Sequence, residues 1–181
     1  MPNRNIITRL DNRSAMNVNT LNPKVQQRFK NWIIECNNTD IAKNNGYEYR
    51  AISGNRTFAE QQALYNQGRT TAGKIVTNAQ QGFSNHNYGI AVDMGVFKNG
   101  KYLDVTEPSV AINFHRHAAQ LAKKYGLEWG GDWMTFKDYP HFQYNTGKTI
   151  TQLHHLVTQG MNPSNVDFPT HLRTVVASLI A

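Results

Sequence analysis

The run Gly89-Ile90-Ala91-Val92-Asp93-Met94 alternates strictly enough to define one strand and both of its faces. Successive side chains of a strand point to opposite sides, so Ile90, Val92 and Met94 share one face and Gly89, Ala91 and Asp93 the other. The first face is apolar and belongs against a core. The second is nearly bare around a single carboxylate, which leaves space beside it for an ion. His86 lies just before the strand, close enough for its imidazole to fold back toward Asp93, and Gly89 is suited to a tight backbone approach.

A second segment answers the first about fifty residues later: Asp138-Tyr139-Pro140-His141. Pro140 resists helix and biases Tyr139 toward extended backbone, so His141 begins a strand. On that strand His141 and Gln143 face one way while Phe142 and Tyr144 face the other. This phase excludes the helical H-E-x-x-H arrangement, in which both histidines sit one turn apart. Two imidazoles and a carboxylate are what a catalytic zinc takes from a protein, with a fourth position left to water. Asp138, three residues before the second histidine, is placed to take a proton from that water. The two segments therefore read as a metal-assisted hydrolase whose site joins two strands or their ends. Any one of these residues alone would more often be structural. The remaining histidines carry surface or packing readings: His115 and His117 point to different sides of a helix, His154 and His155 diverge by about 100°, and His171 is isolated.

Composition narrows the alternatives. The 181 residues suit one ordinary domain with a small appendage, and 39% hydrophobic with 10% aromatic residues can build a real core. The formal net charge of +7 favours polyanions such as nucleic acid, anionic membrane or an acidic bacterial envelope. The positive residues are scattered, which argues against a dedicated nucleic-acid groove and leaves a solvated basic surface as the plain reading. Cys36 is the single cysteine, so neither an intrachain disulfide nor a cysteine-rich zinc cage can form. It reads as a small buried hydrophobe. The N-terminus lacks an apolar signal region, and no run approaches the ~20 apolar residues of a membrane span. The expectation is synthesis as a soluble cytoplasmic chain, with delivery by another agent if the target lies outside.

The rest of the chain reads as mixed α+β: a small central antiparallel sheet flanked by helices, with a short helical C-terminal appendage. Residues 1–20 read as an extended lead-in. A helix starts at Asn22-Pro23 with Val25, Phe29, Trp32, Ile33 and Cys36 at near-helical spacing, and Gly46 ends that region. Residues 47–52 alternate as a strand. Thr57 with Glu60 forms a capping box for a helix over 58–66, and 69–82 form a loop into the site. Gly89 to Val96 reads as a strand, Asn99-Gly100 as a two-residue hairpin turn, and 110–125 as a helix capped by Gly126. Strands follow at 127–129 and 141–144, with Gly130-Gly131 as a turn between them. Two helices over 149–160 and 170–180, joined by a loop holding Pro163 and Pro169, complete the chain. The division expected is 1–147 as the catalytic domain and 148–181 as a helical extension packed on it.

Several further marks surround the two segments: Ser53-Gly54-Asn55-Arg56-Thr57, Glu60-Gln61-Gln62-Ala63-Leu64-Tyr65, Gln67-Gly68-Arg69 and Trp129-Gly130-Gly131-Asp132-Trp133. Together with Ser84-x-His86-x-x-Gly89-x-Ala91-x-Asp93 and Asp138-x-x-His141, over residues 21–144, the chain resembles the zinc peptidase family of D-alanyl-D-alanine carboxypeptidases and L-alanyl-D-glutamate endopeptidases. It is most similar to the endopeptidase branch found in phage endolysins and wall-remodelling enzymes.

The resemblance implies zinc held by His86, Asp93 and His141, and a catalytic carboxylate at Asp138. Many members have Glu there; the endopeptidase branch includes Asp. It also implies that Arg56 steadies the substrate carbonyl, against the plain reading of a surface salt bridge. Ser84 either orients His86 or caps the turn. Trp129, Asp132 and Trp133 either wall the cleft or serve packing and a turn, and Tyr88 is equally open. The implied activity is hydrolysis of the L-Ala–D-Glu bond in peptidoglycan stem peptides by a monomer acting in the periplasm or cell wall. Removal of terminal D-Ala, or a catalytically silent wall-binding module, are the alternatives. A nucleic-acid binder rests on the charge balance alone.

Overall fold

One antiparallel sheet organises the molecule, with strands β1 (Glu48–Ser53), β2 (Ala91–Lys98), β5 (His141–Tyr144) and β4 (Leu127–Trp129) side by side in that order. A two-residue strand, β3 (Lys101–Tyr102), pairs with the far end of β2. In this computed structural model residues 6–161 are described. The helix expected over 170–180, the loop with Pro163 and Pro169, His171 and the first five residues of the lead-in lie outside them.

Register sorts the strand residues into two faces. Tyr49 opposes Val96, Ala51 opposes Met94, and Val92 opposes Phe142, giving an inner face buried against helices. Asp93 opposes His141, Ala91 opposes Gln143, and Gln143 opposes Glu128, giving the outer face that carries the candidate site. Alternation along Ala91–Met94 thus produces the two faces the sequence implies, but the strand runs Ala91–Lys98 rather than from Gly89 to Val96, because Gly89 takes left-handed backbone to end the preceding 3-10 turn.

The inner face is covered by α2 (Pro23–Asn38) and α6 (Pro108–Ala122). The α2 helix begins where Asn22-Pro23 predicts: the Asn22 side chain accepts from Lys24 N, and Pro23 occupies the first turn, where no backbone donor is needed. Its buried stripe is Val25, Phe29, Trp32, Ile33 and Cys36. Trp32 centres the core, with ring centroids 4.5 Å from Phe142 and 5.7 Å from Tyr49, and its indole N–H donates to Ala118 O at 3.0 Å. Truncating such a residue costs ~3–5 kcal/mol, because lost burial and a cavity add together. Cys36 is fully buried, and burial pushes its thiol well above the usual range.

Helix α4 (Phe58–Asn66) carries the expected capping box: Thr57 Oγ1 accepts from Glu60 N, and the Glu60 carboxylate accepts from Thr57 N. Asn99 and Gly100 both have positive φ, 49° and 77°, the backbone that a two-residue hairpin requires. Gly89 has φ 64°, and a Cβ there would lie 2.6 Å from Asn22 N, so the close approach expected at this glycine is real.

The lead-in differs from expectation. Asn12–Asn19 is a helix, α1, capped by the Asp11 carboxylate accepting from Ser14 N. Only Ser14 and Val18 are buried there, so the segment shows almost no apolar period although its cap is strong. Between Thr39 and Gly46 a short separate helix, α3 (Asp40–Asn45), follows α2. Leu103–Thr106 forms one helical turn, α5, directly after β3. The 110–125 helix starts earlier, at Pro108, and its last turn tightens to a 3-10 turn over Lys123–Tyr125 before Gly126. Helix α7 (Ile150–Thr158) has a capping box of its own, Thr149 with Gln152, and docks through Leu153, Ile150, Leu156 and Val157.

Candidate metal centre

His86 sits in a 3-10 turn, Asn85–Tyr88, that is tied down from several sides. Ser84 Oγ accepts from His86 N at 3.4 Å, so Ser84 caps the turn and reaches the imidazole only through the backbone. Arg56 N donates to His86 O at 3.1 Å, and Asn87 Nδ2 donates to Arg56 O at 2.9 Å. Tyr88 is buried, and its hydroxyl donates to Gly82 O at 2.6 Å, which fixes the incoming loop and gives Tyr88 a structural role. The turn then runs into β2, where Asp93 and His141 are direct cross-strand partners.

Three side chains therefore meet at the strand ends. His86 Nε2 lies 3.2 Å from Asp93 Oδ1 and 3.3 Å from His141 Nδ1, and His141 Nδ1 lies 3.4 Å from Asp93 Oδ1. Ligands about 2.0–2.1 Å from a tetrahedral zinc are separated by roughly 3.3 Å, the length of the tetrahedron's edge. The three observed separations match that edge. The remaining nitrogens are anchored: His86 Nδ1–H donates to Gly54 O at 2.7 Å, and His141 Nε2–H donates to Gln143 Oε1 at 3.1 Å. Each ring in its neutral form thus directs an unprotonated nitrogen at the common point, as metal-ligating histidines do. The donor set fits zinc.

Electrostatics agree with the geometry. Burial alone would lift the Asp93 carboxyl, but His86 and His141 outweigh it and hold the group well below the ordinary carboxylate range. Burial alone would depress His141; Asp93 overcomes it and raises the ring's affinity for a proton. Asp138 lines the same cleft, and burial, followed by the charge of Asp93, raises its carboxyl. A carboxylate so placed is a better proton acceptor than an exposed one.

Asp138 is positioned by a glycine corner. Asp138 N donates to Gly130 O at 3.1 Å, and a Cβ on Gly130 would lie 2.5 Å from Asp138 O and 3.1 Å from His141 Cβ. Trp133 stands over His141 with ring centroids 5.0 Å apart and walls the cleft, while Trp129 is buried against Phe142 and donates to Tyr139 O, a packing role. Asp132 is exposed.

Arg56 is no isolated surface ion pair. Its guanidinium donates to Gln61 Oε1 at 2.8 Å and Ser53 Oγ at 3.3 Å, and approaches Asp93 Oδ2 at 3.6 Å. It flanks the carboxylate on the side away from the histidines. Gln61, fully buried, also donates to Ala79 O and so ties Arg56 to the entrance loop.

The cleft encloses about 870 Å³. Its walls include Val76, Phe83, Trp133 and Phe136, together with Thr146 and Lys148 to Ile150 leading into α7. His154 of α7 packs against Phe83 and Phe58, so this helix buttresses the loop that delivers His86. The sequence reading of residues 84–93 and 138–141 anticipates the convergent set. It misses Gly54, Asn85 and Glu128: a backbone carbonyl has no side-chain signature, and the other two act through contacts between distant segments. Gln143 was visible only as a residue sharing His141's face.

Comparison with known proteins bears out the resemblance. Residues 77–144 match a family model described as D-alanyl-D-alanine carboxypeptidase, and all three convergent side chains and Asp138 fall inside the match. The chain is 43% identical over 106 residues to the peptidoglycan L-alanyl-D-glutamate endopeptidase CwlK of Bacillus subtilis (strain 168), covering 56% of this chain and 64% of that protein. It is 30% identical over 133 residues to the L-alanyl-D-glutamate peptidase of Listeria phage A118, covering 74% of this chain and 41% of that one. The chain therefore spans less than two thirds of the length of either relative. The crystal structure of the Serratia marcescens L-Ala D-Glu endopeptidase ChiX has the same fold: TM-score 0.51 at 22% identity, covering 76% of this chain and 90% of that one.

Proposed function

We propose that this chain is a zinc-dependent peptidase that cuts the L-Ala–D-Glu bond of peptidoglycan stem peptides. The observation that carries the reading is the convergence of His86 Nε2, Asp93 Oδ1 and His141 Nδ1 at 3.2–3.4 Å, with both rings anchored through their other nitrogens. The two curated relatives, both L-alanyl-D-glutamate peptidases by name, support the choice of bond.

His86, Asp93 and His141 would hold the metal. A zinc ion bound there supplies Lewis acidity and lowers the pKa of its water to about 7. Asp138 takes a proton from the attacking water and returns it to the leaving amine. Arg56 holds Asp93 in place from its free side and offers positive charge near the developing oxyanion. The cleft walls bind the peptide. The proposed enzyme acts as a monomer. The site of action follows from the substrate and is the bacterial wall.

The family description favours one second reading, removal of a terminal D-Ala. Mass analysis of digested muropeptides separates the two. A new N-terminal glutamate, absent when a chelator is present, is the expected result; loss of alanine alone would establish the carboxypeptidase instead.

A further inference from the structure

We infer that Gln143 is a positioning residue that selects which nitrogen of His141 faces the metal, and that Glu128 holds Gln143 in the orientation this requires. The inference rests on the metal-site reading above.

His141 offers Nδ1 to the shared point, whereas His86 offers Nε2. A neutral imidazole has one protonated nitrogen, and in His141 the proton must reside on Nε2 for Nδ1 to bind a cation. The group facing Nε2 decides this. Gln143 Oε1, at 3.1 Å, can only accept, so it stabilises the Nε2–H form. An amide rotated by 180° would present an N–H₂ to Nε2 and stabilise the opposite tautomer.

The rotation is prevented from two sides. Asn85 Nδ2 donates to the same Gln143 Oε1 at 2.5 Å, and Gln143 Nε2 donates to Glu128 Oε2 at 3.1 Å. A carboxylate only accepts, so Glu128 can face only the nitrogen end of the amide. Glu128 Oε1 is meanwhile held by Asn145 Nδ2 at 2.5 Å. Sheet register builds the array, because Glu128 and Gln143 are cross-strand partners and Gln143 lies two residues after His141 on one face. Asn85 precedes His86 in its 3-10 turn. One amide therefore couples the ring orientation of His141 to the turn that carries His86.

The test uses the full-length, metal-stripped protein. Zinc affinity is measured by competition with a chromophoric chelator, and histidine tautomers by ¹⁵N NMR of the metal-free state. Gln143→Leu is expected to lose 10–100-fold in zinc affinity, the usual cost of losing such a group, and to give a mixture of His141 tautomers. Glu128→Ala, at an exposed position that leaves the core untouched, is expected to weaken zinc several-fold with the same tautomer signature.

Gln143→Glu alone should also weaken zinc, since it sets two carboxylates against each other. Adding Glu128→Gln restores a donor–acceptor match and should recover affinity, an effect that general damage to the fold would not give. Wild-type affinity and a single Nε2–H tautomer in both Gln143→Leu and Glu128→Ala would overturn the inference while leaving the metal site intact. Failure of the unaltered protein to bind zinc would overturn the underlying reading instead.

Discussion

Among the described residues two histidine–aspartate clusters are set into the fold, and their difference identifies the site. His115 on α6 is fully buried, with Nδ1 2.8 Å from the Tyr49 hydroxyl and Nε2 2.6 Å from Asp104 Oδ1; Asp104 Oδ2 accepts from Val96 N at 2.9 Å. Every polar atom of that ring has a complementary partner, and the cluster ties α5 and α6 to β1 and β2. In the cluster of His86, Asp93 and His141, one nitrogen of each ring is anchored while the other meets like acceptors at 3.2–3.4 Å. Acceptors facing acceptors are unfavourable unless a proton or a cation lies between them. Residue type and burial are alike in the two places; saturation of the polar atoms separates a structural cluster from a binding one.

The largest expected effect comes from removing the proposed proton acceptor. Asp138→Ala should lower kcat by ~10²–10⁴-fold while one zinc per chain remains bound. Loss of zinc together with activity would make Asp138 part of the metal site and blur the contrast.

The structural cluster should fail in the opposite way. His115→Leu is expected to cost ~3 kcal/mol of stability, because it strips Asp104 Oδ1 and the buried Tyr49 hydroxyl of the ring they bond. Chemical denaturation measures that loss, and zinc stoichiometry should stay unchanged. A stable variant with weakened zinc would reverse the assignment of the two clusters.

A more local change sharpens the geometry. Gly130→Ala puts a methyl group against the Asp138 carbonyl. Displacement of the carboxylate by about 1 Å should reduce kcat by roughly 10²-fold, with zinc affinity falling less. Equal activity in the variant and the parent would show that Asp138 need not be held by this corner.

The smallest effect is a pH dependence of opposite sign in the two metal states. In the metal-free fold His141 binds its proton more tightly than the ordinary value of 6.5. Its contribution is thus complete below the unfolded pKa and fades as pH rises through the folded one. Zinc requires the neutral ring, so the stabilisation it adds should grow over the same window. Thermal unfolding across that range, with and without zinc, checks both slopes.

Much of this site was legible in the sequence because strands write their faces as alternation. Asp93 on a bare face, Pro140 before His141 and the Asn99-Gly100 turn each carry a local steric reason, and the structure places them accordingly. The α1 helix was not legible, since its stability rests on the Asp11 cap and on Ser14 Oγ reaching Ala51 N across 37 residues rather than on an apolar stripe. Arg56 beside Asp93, His154 against Phe83 and Glu128 behind Gln143 were hidden for the same reason. Each is a contact between distant segments, which no local period encodes.

The most direct test of the account is a zinc titration of the metal-stripped protein, run beside His86→Ala and His115→Leu. One tightly bound zinc per chain is expected in the parent and in His115→Leu, and none of comparable affinity in His86→Ala. A parent that binds no zinc, or a His86→Ala variant that binds it as tightly as the parent, would contradict it.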